Sequence, residues 1–194
     1  MSITSNLYNR LVAALCNVAA ANEIRTILNG ATMRLPLTQG KNADGSALKA
    51  SSPGATDFTI ASTAGTSLKA TGHASQNNTK TDDLLFEMTL PSTYTAGSNL
   101  TLTVNSQYAV AAGTTITATV DATAYKMTDA GAAGADICAT NAQAIATTAA
   151  DKSFTLTGTS LSPGDRLTIK ITTSVAEGGN TGTATGQINS VRLA

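Results

Sequence analysis

The chain predicts a mainly β fold: a jelly-roll-like antiparallel sandwich of about eight strands, preceded by an N-terminal helix and an extended arm. Three observations predict it. Between Leu84 and Leu193 apolar residues alternate with Thr, Ser, Lys and Asp in short runs, the period of a half-buried strand. Turn residues separate these runs, as in Ser162-Pro163-Gly164-Asp165 and Gly178-Gly179-Asn180. Ahead of them, Leu7, Leu11, Leu15 and Val18 recur at helical spacing within an Ala-rich stretch.

Taken in order, residues 1–30 read as a helical segment. Ser5 or Asn6 caps its start, and Asn22 opens a second short piece through Ile24, Arg25 and Leu28 that Asn29-Gly30 closes. Its apolar stripe must be buried against either its own sandwich or a neighbouring subunit. Residues 31–81 form an arm: Met33, Leu35 and Leu37 alternate briefly, Phe58 and Ile60 suit one short strand, and Gly, Ser, Asn, Lys and Thr fill the rest. So few apolar anchors predict a segment ordered by lying on another surface. Residues 82–194 form the sandwich domain. Strands are expected around Leu84–Leu90, Leu100–Val104, Thr115–Ala122, Phe154–Leu156, Leu167–Val175 and Ala184–Leu193, with a weaker one near Ile145. The apolar parity slips near Tyr125 and again near Ser190, which predicts bulges. Leu84, Phe86, Val104, Val120, Phe154, Leu167, Ile169 and Ile171 should share one core.

Composition narrows the function. Charged residues are 12% and aromatics 4% of 194 residues, with no Trp and no net formal charge. A core of Ala, Val, Ile and Leu gains less area per residue than an aromatic one, so help from partner subunits is expected. Residues 1–81 hold seven Lys/Arg against three acids and residues 82–194 hold five against nine. The cations are scattered and lack interleaved aromatics, which argues against nucleic acid. The apolar stretch 11–21 is too short for a bilayer and lacks the flanks of a secretory signal. A chain made in a cytoplasm is expected, with no membrane partner. Cys16 and Cys138 then stay as free thiols.

No catalytic constellation is present, and no enzyme or cofactor is expected. His73 is the single histidine, read as a solvated arm residue rather than a general base. Asp82 and Asp83 are adjacent, so in a strand they face opposite ways and cannot work as an acid–base pair. Asn42, Asp44 and Ser46, and separately Asp129 and Asp136, offer oxygen ligands but no calcium loop with its terminal acid. No metal is expected. Tyr94 and Tyr108, placed in loops, are the candidates to touch a sugar or, in the plainer reading, to cover a sandwich end.

Two stretches carry a resemblance. Thr89-Leu90-Pro91-Ser92-Thr93-Tyr94-Thr95-Ala96-Gly97-Ser98, running into Leu100–Val104, is similar to jelly-roll virion proteins of tailed bacteriophages. So are Ala150–Phe154 and the hairpin Leu161-Ser162-Pro163-Gly164-Asp165-Arg166-Leu167-Thr168-Ile169-Lys170-Ile171. The resemblance covers about residues 84–193. It implies a structural role of the capsid decoration (cement) type. The protein would sit on the capsid exterior as a homotrimer, contacting the major capsid protein and copies of itself. A tail, fibre or head-spike component is the variant of this reading. A carbohydrate-binding sandwich module is the competitor from another class. On the first reading the contact residues would be Leu7, Arg10, Leu11, Leu15, Val18, Ile24, Arg25, Leu28 and Arg34.

Overall fold

The computed structural model describes residues 32–49, 58–61, 68–112, 115–179 and 182–194. Within them two antiparallel sheets stack as a β-sandwich. One sheet runs β2 (Thr59–Ala61), β3 (Lys69–Thr71), β11 (Thr183–Leu193), β5 (Leu100–Ala112), β9 (Ala150–Leu156), with β1 (Met33–Leu35) also on β11. The other runs β4 (Asn78–Thr89), β10 (Arg166–Glu177), β6 (Ile116–Met127), β7 (Ala133–Asp136), with β8 (Gln143–Ala144) also on β6. We call them the β11 sheet and the β10 sheet. β4, β5, β6, β10 and β11 are 11 to 13 residues long, well above the usual five or six.

Alternation decides which face is buried. On β10, Leu167, Ile169, Ile171 and Val175 point inward, and Thr168, Lys170, Thr172 and Ser174 point outward. Leu84 and Phe86 on β4, and Ala118, Val120, Ala122 and Ala124 on β6, complete the inner face of this sheet. Leu100, Leu102, Val104, Phe154, Leu156, Ile188, Val191 and Leu193 face them from the β11 sheet. All eight residues expected in the core are buried, at 2% exposure or less. Both parity slips are register shifts, between Tyr125 and Met127 where β6 meets β7, and between Ile188 and Ser190 where β11 meets β5.

The two stretches that carry the virion resemblance meet at one end of the sandwich. Leu90 N–H donates to the Asp165 carbonyl (2.8 Å), Gly164 N–H to the Leu90 carbonyl (3.0 Å), and Gly97 N–H to the Leu161 carbonyl (3.0 Å). Gly164 has φ +85°, the left-handed conformation its turn requires. These stretches close the fold, and that role alone accounts for their turn chemistry.

Sequence reading fell short in the stretch 31–81. Its described residues supply β1, β2, β3 and the start of β4, and Leu35, Leu37, Phe58 and Ala70 are buried in the core. Three-residue strands hold one or two inward side chains each, too few to show a period. The helix expected over residues 5–29 lies outside the described residues. So do Cys16 and the contact candidates Leu7, Arg10, Leu11, Leu15, Val18, Ile24, Arg25 and Leu28.

Candidate functional site

The outer face of the β10 sheet brings chemistry-bearing side chains into register. One row crosses four strands: Glu87 on β4, Thr168 on β10, Tyr125 on β6 and Asp136 on β7. At the usual strand spacing it spans about 14 Å. Beside it lie the rows Leu85–Lys170–Thr123 and Thr89–Arg166–Met127. A cleft of about 180 Å³ opens here among Glu87, Met127, Arg166 and Thr168. The row joins an aromatic ring, two carboxylates and a hydroxyl on a rigid face.

Electrostatics fix its charged groups. Lys41 Nζ donates to Glu87 Oε2 at 2.9 Å, and this bond holds the Glu87 carboxyl below the usual carboxylate range. Lys41 is brought there because its backbone bridges to Leu85 at the β4 edge. Asp136 Oδ1 accepts from the backbone N–H of Ala124 and of Cys138, each at 2.9 Å. Further along, Asp83 accepts from the Thr172 hydroxyl at 2.5 Å and stands 3.8 Å from Lys170 Nζ.

Several expected candidates are placed otherwise. His73 is not a solvated arm residue. Its Nδ1 lies 2.5 Å from Asp82 Oδ1, and its backbone N–H donates to Asp82 Oδ2 at 2.9 Å. Asp82 is 2% exposed, and burial pushes its carboxyl up from the ordinary value. A loop histidine read without its partner looks solvated; only the fold shows that residues 72–75 pass over β4. Asp82 and Asp83 do face opposite ways, the first into the core and the second out. Ser75, two residues from His73, spends its hydroxyl donating to the Asn78 carbonyl and accepting from Glu177 N–H. Tyr94 packs on the core from the β4–β5 loop, its hydroxyl donating to the Ser98 carbonyl. Tyr108 lies within β5, not in a loop, and also packs on the core. Tyr125, the ring on the open face, was missed: only its odd parity with Thr123 and Asp121 marks it as outward.

The remaining candidates sit apart. Arg34 is exposed on β1, opposite Arg192 of β11. Asn42, Asp44 and Ser46 form a turn in which Ser46 N–H donates to Asp44 Oδ1 at 2.8 Å. Asp129 lies in the β6–β7 turn, away from the Asp136 bonds. Among the described residues no three His, Cys, Asp or Glu side chains gather as metal ligands. Cys138 is half-buried, and burial raises its thiol above the ordinary value. No described helix is long and apolar enough to cross a membrane.

No protein-family model and no curated protein matches the chain. Solved structures do, at low identity. The CBM22-1 xylan-binding domain of Xyn10C from Paenibacillus barcinonensis is 9% identical, with a TM-score of 0.42 over 83% of this chain and 91% of that one. A CBM4 structure is 12% identical, at 0.38 over 72% and 90%. The enzymatically active domain of bacteriophage CBA120 tailspike protein 4 is 11% identical, at 0.43 over 81% of this chain and 19% of that one. These are likenesses of sandwich layout and carry no ligand across to this chain.

Proposed function

We propose that the chain is a non-catalytic β-sandwich recognition module, and that the outer face of its β10 sheet takes a carbohydrate. The row Glu87–Thr168–Tyr125–Asp136 carries this reading. A sugar offers an apolar ring face and a rim of hydroxyls. Tyr125 supplies a π-surface for the first, and the carboxylates with Thr168 and Arg166 supply acceptors and donors for the second. A single ring gives a weak site, with Kd of order 0.1 to 1 mM. The Ser75 hydroxyl, close to His73 in sequence, donates to the Asn78 carbonyl and accepts from Glu177 N–H, which supports the non-catalytic part because it is not free to act as a nucleophile. The strand orders β3-β11-β5-β9 and β4-β10-β6-β7 support a jelly roll, because every consecutive pair among these eight strands except β6–β7 switches sheets, as two Greek keys demand.

Affinity electrophoresis through gels containing soluble polysaccharides tests the reading. The protein should be retarded by at least one neutral or acidic polysaccharide. Tyr125→Ala should lose about tenfold in affinity while keeping its unfolding midpoint. Migration unchanged in every polysaccharide would end the proposal.

The second reading is the structural virion component, of decoration, tail or fibre type. One observation favours it: on the outer face of the β11 sheet polar side chains bond one another across the strands. Gln107 Nε2 donates to Gln187 Oε1 (2.7 Å), Asn189 Nδ2 to Asn105 Oδ1 (3.0 Å), and Asn105 Nδ2 to Asp151 Oδ1 (2.7 Å), while Asp151 also pairs with Arg192. A rigid polar face of this kind suits apposition to another protein surface. On that reading the capsid is the partner, and residues 1–30 with Arg34 are the anchor. Protein lacking residues 1–30 should then fail to pellet with undecorated shells, while the intact chain co-sediments.

A further inference from the structure

The polar end of the sandwich contains a clasp between the sheets. Gly72 N–H donates to the Gly186 carbonyl at 2.9 Å, which sets the two glycines side by side on the β11 sheet. Opposite them, Asp82 of β4 and Thr173 of β10 are cross-strand partners. A Cβ at Gly72 would collide with the Asp82 carboxylate, and one at Gly186 would lie 2.7 Å from Thr173 Oγ1. The glycines therefore let the sheets approach closely here. That approach delivers His73 to Asp82, with Oδ1 2.5 Å from Nδ1 and Oδ2 2.9 Å from the backbone N–H. The two side chains differ in access: His73 is 21% exposed and Asp82 3%.

What the clasp holds has a short backbone seam with β11. β3 meets β11 at only two register positions, Thr71 with Gln187 and Ala70 with Ile188. β2 pairs with β3 alone within the sheet order. Outside those positions the described residues tie the leaf down through the Gly72–Gly186 bond, the two bonds between Ser75 and Ala184, a bond from Ile60 N–H to the Lys49 carbonyl, and the burial of Phe58 and Ala70 in the core. Residues 72–75 are the crossover from this β2–β3 leaf to β4, so whatever fixes His73 fixes the leaf.

We propose that His73 and Asp82 share one proton and act as a pH-operated clasp that locks the β2–β3 leaf onto the sandwich and releases it when that proton is lost. The charge balance gives the direction. With one proton the pair is neutral overall, as imidazolium with carboxylate or as imidazole with carboxylic acid. On this proposal the proton belongs to the pair rather than to either group. Removing it turns a neutral pair into a buried net negative charge whose imidazole partner no longer carries the opposite charge. The stabilisation is present on the acid side and is lost as pH rises through the titration of the pair.

Among the described residues nothing else near Asp82 can replace the lost charge. On β4, Asp83 points to the opposite face and adds repulsion, and Lys80 makes no ion pair with Asp82. On β10 the inward neighbours are Thr173 and Glu177. Glu177 is buried and accepts from the backbone N–H of Asn77 and of Gly179. From the β11 sheet, Gly186 and Ser106 bring no charge.

Amide hydrogen exchange on the full chain, followed from about pH 5 to about pH 9, tests the clasp across the range where such pairs titrate. Amides of β10 around Ile169–Ile171 in the same molecule correct for intrinsic base catalysis. Relative to them, residues 69–73 and 188 should lose about tenfold or more in protection as pH rises. His73→Gln, at the rim, should show low and pH-independent relative protection, and Asp82→Asn should remove the pH dependence. In the wild type, NMR titration should shift the His73 ring and the Asp82 carboxyl carbon in one common step. Protection that ignores pH, an undiminished pH dependence in His73→Gln, or separate titrations of the two groups would each overturn the clasp.

Discussion

The two ends of the sandwich use the same strands and opposite chemistry. At one end β10 buries Leu167, Ile169 and Ile171 against Leu102, Val104 and Phe154, and Leu90 and Leu161 close the gap. At the other, the same strand turns Thr173 and Glu177 inward, where Asp82, Ser75 and Ser106 are also buried. One end is held by area removed from water. The other is held by directional bonds, several of them to backbone: Ser75 Oγ to Asn78, Glu177 to Asn77 and Gly179, Asp82 to His73. A sandwich built this way has a firm end and an end whose grip depends on protonation and on exact placement of polar groups.

The largest expected effect breaks the apolar end. Ile169 is fully buried at the middle of β10. Ile169→Ala should cost about 2–5 kcal/mol, as lost transfer energy plus the cavity left behind. Urea unfolding followed by far-UV circular dichroism would measure it. A loss under about 1 kcal/mol would mean that the site collapses, and that the two ends are less different than they look.

This contrast also explains what the sequence allowed. The apolar end was legible because Leu, Ile, Val and Phe alternate with Thr and Lys over four or more residues. The bulges at Tyr125 and Ser190 were legible for the same reason, since a slip in parity is visible wherever parity is. The polar end was not. Thr173 and Glu177 keep the inward parity of β10, yet nothing in their chemistry marks them as buried. His73 and Asp82 lie nine residues apart, and only the crossover between sheets brings them together. The candidate site was half legible: strand parity places Tyr125 and Glu87 outward, but the row they share depends on β4 and β6 flanking β10, which no local pattern encodes.

A middle-sized effect should come from the glycines that let the sheets approach. Gly186→Ala sets a methyl 2.7 Å from Thr173 Oγ1. A β-branched side chain packed between strands has little freedom to yield. The sheets must move apart at the polar end, at about 1–3 kcal/mol. The same change should loosen the β2–β3 leaf, so exchange at residues 69–73 should rise even at acid pH. Full stability with an intact leaf would show that the close approach is not what holds the two sheets together there.

The smallest expected effect has the opposite sign. Thr173 Oγ1 and Ser106 Oγ are buried and find no hydrogen-bond partner among the described residues. An orphaned buried hydroxyl costs roughly 1–3 kcal/mol of desolvation. Thr173→Val replaces it with a methyl of nearly the same shape, on a β-branched frame that keeps the strand conformation. The polar end should gain about 1 kcal/mol, a rise of about 2–4 °C in Tm for a chain of this size. Asp82 is the cross-strand neighbour of Thr173, so the gain should persist at the acid pH where the clasp is closed. If Thr173→Val instead destabilises, the hydroxyl is satisfied by an ordered internal water. The polar end would then be a hydrated layer rather than a dry one with two idle hydroxyls. Thr173→Val and Ser106→Ala separate the cases: independent orphans give additive gains, whereas a shared water makes the double variant cost less than the two single losses together.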